Sequence, residues 1–188
     1  MPKPYFSSAK KIQEIIRVDH AGEFGAKRIY EGQIAYTKNA NDKKLIKHML
    51  DQEAEHLEYF DNQIKKGNAR PTALAPIWNM FGYALGAISA KAGKEPAMLV
   101  TESVEEVIVD HYQEQIDYLK SIRSKNQLLT KIKKFKQDEA DHIHIALENN
   151  STNAKLHDTM SAVVKTFCKI AIFLRGFKGT KLTYELLR

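Results

Sequence analysis

Apolar residues recur at helical spacing along nearly the whole chain, and no stretch alternates the way a strand would. Ile12, Ile15, Ile16, Ala26, Ile29 and Tyr30 form one stripe, with Ser7 and Ser8 as expected N-caps and a polar break at residues 37–42. Leu45, Met49, Glu53, His56, Phe60 and Ile64 form a second, closed by Gly67 just past its last turn. After Gly93 the pattern resumes over about 95–122 and 127–148, parted by residues 121–126. Each short break turns a helix back on its neighbour, so the sequence predicts two antiparallel hairpins, 8–66 and 95–150. With 43% hydrophobic residues, 9 Gly and 5 Pro in 188 positions, there is apolar material for one core, and a single all-α domain over 1–188 is expected.

Two Glu-x-x-His motifs lie on these hairpins, Glu53 to His56 and Glu139 to His142, each placing a carboxylate and an imidazole on one helix face. Chance alone yields about 0.5 such matches in a chain of this composition, so the motifs by themselves are weak. Position strengthens them. Glu23 and Glu53 stand 15 residues either side of residue 38, and Glu105 and Glu139 stand 17 either side of residue 122. In an antiparallel pair, equal distance from the turn means equal height along the bundle. One Glu from each of two helices and one Glu-x-x-His from each of the other two is the ferritin-like di-metal arrangement. The expected ligands are therefore Glu23, Glu53, His56, Glu105, Glu139 and His142. Any one of them alone reads more simply as a solvated helix residue, but six at one level do not. Four carboxylates and two imidazoles balance two divalent ions and suit iron or manganese; two iron ions per chain are expected for oxygen chemistry.

Three neighbours are candidates to support these ligands: Asp19 one turn before Glu23, Asp138 directly before Glu139, and Tyr112 seven residues after Glu105. Metal-bound imidazoles usually pass their other N–H to a carboxylate, so Asp138 is expected to orient a histidine across the bundle, namely His56. Glu55, Glu102 and Glu106 fall off the ligand stripe and are expected at the surface or just behind the ligands. Gly22, Gly25 and Ala26 either leave room for a flat ring or let helices approach.

Residues 71–90 carry no charge, yet hold Pro76, Asn79, Gly82 and Gly86, which argues against a smooth membrane span. A crossover helix over 71–92, buried or lying at an interface, is expected instead. The last segment, 155–188, sets Val163, Val164, Phe167, Ile170, Ala171, Phe173, Leu174 and Phe177 among Lys165, Lys169, Arg175, Lys178 and Lys181. Such a basic amphipathic helix suits either packing on the bundle or docking on an anionic membrane. Trp78, Phe81, Phe167 and Phe173 are the aromatic candidates for a membrane face or a lipid tail. The expected fold is thus a ferritin-like four-helix bundle with an additional apolar crossover helix and a C-terminal amphipathic helix. A net charge of +6 and a pI near 9.2 would also suit nucleic acid, but the basic residues sit in a membrane-type pattern, and nucleic acid is not an expected partner. The single cysteine, Cys168, excludes an internal disulfide and multi-thiolate metal sites, and points to a reducing compartment. The first eight residues lack an apolar core of signal-peptide length, so nothing in them argues for export.

The run Ile16-Arg17-Val18-Asp19-His20-Ala21-Gly22-Glu23, continuing through Gly25-Ala26, Arg28-Ile29-Tyr30 and Gly32-Gln33, resembles the signature of the demethoxyubiquinone hydroxylase family. The resemblance extends through Asp51-Gln52-Glu53 and His56, residues 71–86 with Trp78-Asn79, Gly93-Lys94-Glu95, Glu105-Glu106, His111-Tyr112 and residues 135–142, and so covers nearly the whole chain. It departs at Asp110, where the family often carries histidine, and at Asp141, a shorter acid inside the second motif; neither removes a ligand. The resemblance implies a di-iron monooxygenase of ubiquinone biosynthesis that hydroxylates the ring of a polyprenylated demethoxyubiquinol, using O2 and a reductant such as NADH. It implies Glu23 and Glu105 as outer ligands, Glu53 and Glu139 as bridges, and His56 and His142 as caps of one iron each. It further implies peripheral attachment to the cytoplasmic face of a bacterial inner membrane, or to the mitochondrial inner membrane, and association with a second copy or with other ubiquinone-biosynthesis proteins. Competing readings are a ferritin-like iron oxidase or peroxide scavenger, and a metal-free membrane adaptor.

Overall fold

The computed structural model describes residues 6–124 and 127–176, and every regular element among them is helical. Helices α1 (Phe6–Tyr36) and α2 (Ala40–Lys65) form the first hairpin, α3 (Ala75–Ala92) crosses over, and α4 (Lys94–Ser121) and α5 (Gln127–Glu148) form the second. A 3-10 turn at Ser151–Asn153 leads into α6 (His157–Gly176). Phe177, Lys178 and Lys181 of the expected amphipathic helix lie outside the described residues.

The breaks fall where local chemistry permits them. The Asn39 side chain caps α2 by accepting the backbone N–H groups of Asn41 at 2.8 Å and Asp42 at 3.1 Å. Gly67 takes φ 77° beyond α2, a left-handed conformation that costs glycine little. Helix α1 already includes Phe6, so the expected N-cap positions Ser7 and Ser8 fall within the helix.

Helices α1, α2, α4 and α5 form the bundle. One apolar cluster, including Ile15, Ile16, Phe60, Leu119, Ile132 and Phe135, fills one end. A second, including Tyr30, Ile46, Met49, Met98 and Ala146, fills the other. Burying side chains of this size stabilises the fold by about 1.5–3 kcal/mol each, which offsets the cost of a polar layer between the two clusters.

The crossover helix lies along α1 with backbones almost touching. A Cβ at Gly86 would sit 1.9 Å from the Ile29 carbonyl oxygen, and one at Gly32 would sit 2.3 Å from that of Tyr83. One side of α3 buries Trp78 and Ala90, while Ile77, Met80, Phe81 and Ile88 remain exposed. No helix among the described residues is long and apolar enough to cross a membrane. Helix α6 packs on α4 and α1 through Val164, Ala171 and Ser161, whose hydroxyl accepts from Ser103 at 2.9 Å. It leaves Val163, Ile170 and Phe173 exposed. Its first residue, His157, brings Nε2 to 3.3 Å from Glu102, which is buried by this contact rather than placed at the surface.

Candidate metal centre

The polar layer brings six residues together. Glu23, Glu53, His56 and Glu139 form one group, and Glu53, Glu105, Glu139 and His142 form another, with one ligand-type atom per residue and all such atoms within 4.8 Å of one another. Glu53 and Glu139 belong to both groups, and none of the six is more than 3% exposed. Both imidazoles turn Nδ1 inward. His56 Nδ1 lies 3.0 Å from Glu139 Oε1 and 3.4 Å from Glu23 Oε2. His142 Nδ1 lies 2.9 Å from Glu139 Oε2 and 3.4 Å from Glu53 Oε1.

The surrounding contacts repeat a pattern. The Tyr112 hydroxyl donates to Glu23, and the Tyr30 hydroxyl donates to Glu105 Oε1 at 2.8 Å. Each tyrosine follows one glutamate by seven residues in its own helix and reaches the other glutamate across an antiparallel α1–α4 pair. His56 Nε2 meets Asp138 Oδ2 at 3.0 Å, and His142 Nε2 meets Gln52 Oε1 at 3.1 Å, in each case the residue preceding the glutamate of the opposite motif. Asp19 is buried and accepts from Gln115 Nε2 at 2.6 Å instead of meeting a ligand directly. Tyr30 and Gln52 escaped the sequence reading, although the spacings that singled out Tyr112 and Asp138 recur at both positions.

Four buried carboxylates cannot all ionise here without cations. Burial, then repulsion from Glu139 and Glu23, pushes the Glu53 carboxyl well above its usual range. Burial and Glu139 do the same to Glu105, against the hydrogen bond from Tyr30. Burial also acts on Glu139 and His56 but is outweighed there. The close imidazoles of His142 and His56 pull Glu139 down to about 2, while Glu139 and Glu23 carry His56 up to about 11. Both oxygens of Glu53 and Oε2 of Glu105 are buried without a hydrogen-bond partner, and the Glu139 oxygens and both inward Nδ1 atoms meet only other members of the cluster. A buried cluster of oxygen and nitrogen donors with no sulfur fits two divalent ions of the iron or manganese type, whose four positive charges match four carboxylates.

An apolar pocket lies between four helices, lined by Gly22 and Ala26 of α1, Trp78 and Phe81 of α3, Val104 of α4 and Phe167 of α6. Gly22 and Val104 are the sequence neighbours of Glu23 and Glu105, while none of the six cluster residues lines the pocket itself. The Phe167 ring lies 6.1 Å from Trp78 and 6.1 Å from Phe81. Phe173 does not line the pocket; it is exposed farther along α6.

The family described as "Ubiquinone biosynthesis protein COQ7" has a sequence model that matches residues 10–175, a stretch containing all six residues of the cluster. The chain belongs to the COQ7 family. Among COQ7-type relatives, "NADPH-dependent 3-demethoxyubiquinone 3-hydroxylase, mitochondrial" of Dictyostelium discoideum is 49% identical over 164 residues, covering 87% of this chain and 76% of the relative. The Homo sapiens protein of the same description is 41% identical over 169 residues, covering 89% and 78%. "3-Demethoxyubiquinol 3-hydroxylase" of Rhodospirillum rubrum is 38% identical over 169 residues, covering 89% and 79%. This is the demethoxyubiquinone hydroxylase family that the residues around Glu23 resemble. The two eukaryotic relatives are described as NADPH-dependent, whereas the resemblance suggested NADH.

Proposed function

We propose that this COQ7-family chain is a di-iron quinol monooxygenase, a 3-demethoxyubiquinol 3-hydroxylase of ubiquinone biosynthesis. The observation that carries the reading is the buried six-residue cluster in a COQ7-family chain, supported by an apolar, aromatic-lined pocket whose Gly22 and Val104 neighbour Glu23 and Glu105 in sequence, since an iron-storage or peroxide-consuming centre needs no room for an apolar ring. The six clustered residues would hold the ions: Glu23 and Glu105 outside, Glu53 and Glu139 as bridges, and His56 and His142 through Nδ1. Bound ferrous ions supply the electrons and spin freedom without which ground-state oxygen reacts slowly with a quinol.

The chain's own residues do the rest. Tyr112 and Tyr30 each occupy Oε1 of an outer glutamate, which leaves Oε2 to face a metal. Asp138 and Gln52 hold the two imidazoles at Nε2 and so fix the inward Nδ1 as the ligand atom. Trp78, Phe81 and Phe167 would give a prenylated ring an apolar wall between α1, α3 and α6. In the balanced reaction one oxygen atom enters a ring C–H bond as hydroxyl and the other leaves as water. Two electrons and two protons are consumed, the electrons coming from a reduced nicotinamide, NADPH or NADH. With no strand among the described residues, that donor does not use a strand–glycine loop–helix site.

The exposed apolar residues of α3 and α6 would rest on a bilayer beside the pocket mouth, so that the prenyl tail remains in lipid. The protein is then peripheral, on the cytoplasmic face of a bacterial inner membrane or on the mitochondrial inner membrane. Aerobic turnover of a short-tailed demethoxyubiquinol with NADH and with NADPH under isotopically labelled O2, read by mass spectrometry, tests the reading. One labelled oxygen in the product is expected. Ferric mineral or peroxide loss without ring hydroxylation, in fully iron-loaded protein, would instead establish the iron oxidase or scavenger.

A further inference from the structure

The two halves of the centre match position by position, and the mismatches fall on one half. Glu23, Tyr30 and Gln33 of α1 recur at the same spacing as Glu105, Tyr112 and Gln115 of α4. Glu53 and His56 of α2 recur as Glu139 and His142 of α5. The residue that holds each imidazole differs: the carboxylate of Asp138 faces His56 Nε2, whereas the amide oxygen of Gln52 faces His142 Nε2. A second mismatch sets Asp19 against Thr101, since Gln115 donates to Asp19 and Gln33 donates to Thr101 at 3.3 Å. Asp19 accepts from Gln115 and touches neither imidazole ligand, so it has no direct hold on a ligand atom. The Asp138–Gln52 pair therefore carries the difference.

Lys134 also bonds Asp138, at 2.7 Å. Its side chain is 54% exposed, against 14% for Asp138 and 0% for His56, so water screens the lysine more strongly than it screens the carboxylate–imidazole contact. Both partners fix the histidine tautomer, but the negatively charged carboxylate raises the basicity of the ligand nitrogen more than the neutral amide oxygen does.

We infer that the two metal positions are unequal: the Glu23–His56 position fills first and holds its ion more tightly, with Asp138 as the positioning residue that sets the difference. The Glu105–His142 position fills second and empties first. The inference rests on the di-metal reading above. Losing an imidazole partner changes metal affinity by about 10–100-fold, and since both positions keep a partner here, they should differ by about tenfold, the lower end of that range.

Crystals of the full chain loaded anaerobically with one equivalent of Co(II), read by anomalous scattering, test this without turnover. The cobalt is expected at the Glu23–His56 position. The double exchange Asp138→Asn with Gln52→Glu keeps both side-chain shapes and should move it to the Glu105–His142 position, a reversal that a purely structural role would not produce. Asp138→Asn alone should even out the two occupancies. Equal occupancy in the parent chain, or no redistribution in the double variant, overturns the inference while two-ion capacity keeps the di-metal reading. A capacity below two ions in excess Co(II) overturns both.

Discussion

Replacing Gly86 with alanine adds one carbon atom where two backbones already touch. On an undisturbed backbone that Cβ would lie 1.9 Å from the Ile29 carbonyl oxygen, where ordinary contact begins at 3.4 Å. Helix α3 must therefore retreat from α1 by roughly the difference, about 1.5 Å, because a backbone carbonyl cannot swing aside as a side chain would. Overpacking of this kind costs about 1–3 kcal/mol, and alanine recovers up to about 1 kcal/mol over glycine in a helix. A contact this short falls at the upper end, so a net loss of about 2 kcal/mol is expected, or about 4–8 °C in Tm for a chain of this size. Because α3 carries Trp78 and Phe81 into the pocket, the same retreat should raise KM for the quinol while iron content stays at the parent value. Thermal unfolding, metal quantification and steady-state kinetics read the three effects. Gly67→Ala is the control: its left-handed φ of 77° costs about 1 kcal/mol, but no atom lies within 4 Å and the pocket is untouched. Unfolding of Gly86→Ala within about 1 °C of the parent, with unchanged KM, would refute the α1–α3 contact.

Two further outcomes concern the cluster and the surface. In the metal-free protein, the raised carboxyls of Glu53 and Glu105 bind protons that the unfolded chain releases, so their contribution to stability is present at low pH and is lost as pH rises above the usual carboxylate range. His56 acts in the same direction, losing its contribution as pH rises from 6.5 through about 11, while the depressed Glu139 costs stability only as pH falls from 4.5 toward about 2. The metal-free Tm should therefore fall between about pH 6 and about pH 9, and more steeply than in the metal-loaded form; parallel slopes would contradict the protonation pattern. On the surface, exchanging Val163 and Ile170 for serine removes exposed apolar area from α6 and spares the buried Val164 and Ala171. Sedimentation with anionic vesicles should weaken by about tenfold with Tm unchanged, and undiminished binding would deny this face a membrane role.

The helices were legible because periodicity and turn chemistry are local: the expected 95–122 and 127–148 agree with α4 and α5 to within a residue. Level placement of Glu23, Glu53, Glu105 and Glu139 followed from counting outward from the turns, which needs no knowledge of side-chain packing. What was hidden depends on elements distant in sequence. Gly82 and Gly86 counted only against a membrane span, because their real partners, Gly25 and Ile29, belong to another helix. Glu102 became a buried residue through His157, which α6 delivers from outside the four-helix bundle. Tyr30 and Gln52 act on the opposite helix of each pair, whose register is set by the assembled bundle. Phe173 shows the limit of amphipathic spacing, which marks a residue as belonging to an apolar face but not whether that residue lines the pocket.

Metal quantification combined with Mössbauer spectroscopy on the iron-loaded, air-oxidised chain tests the six-residue centre most directly. About two irons per chain, as a spin-coupled ferric pair without net magnetism, are expected from ligands shared through Glu53 and Glu139. Iron well below two per chain, or two irons with the magnetic spectrum of isolated ferric ions, would contradict a shared-carboxylate centre.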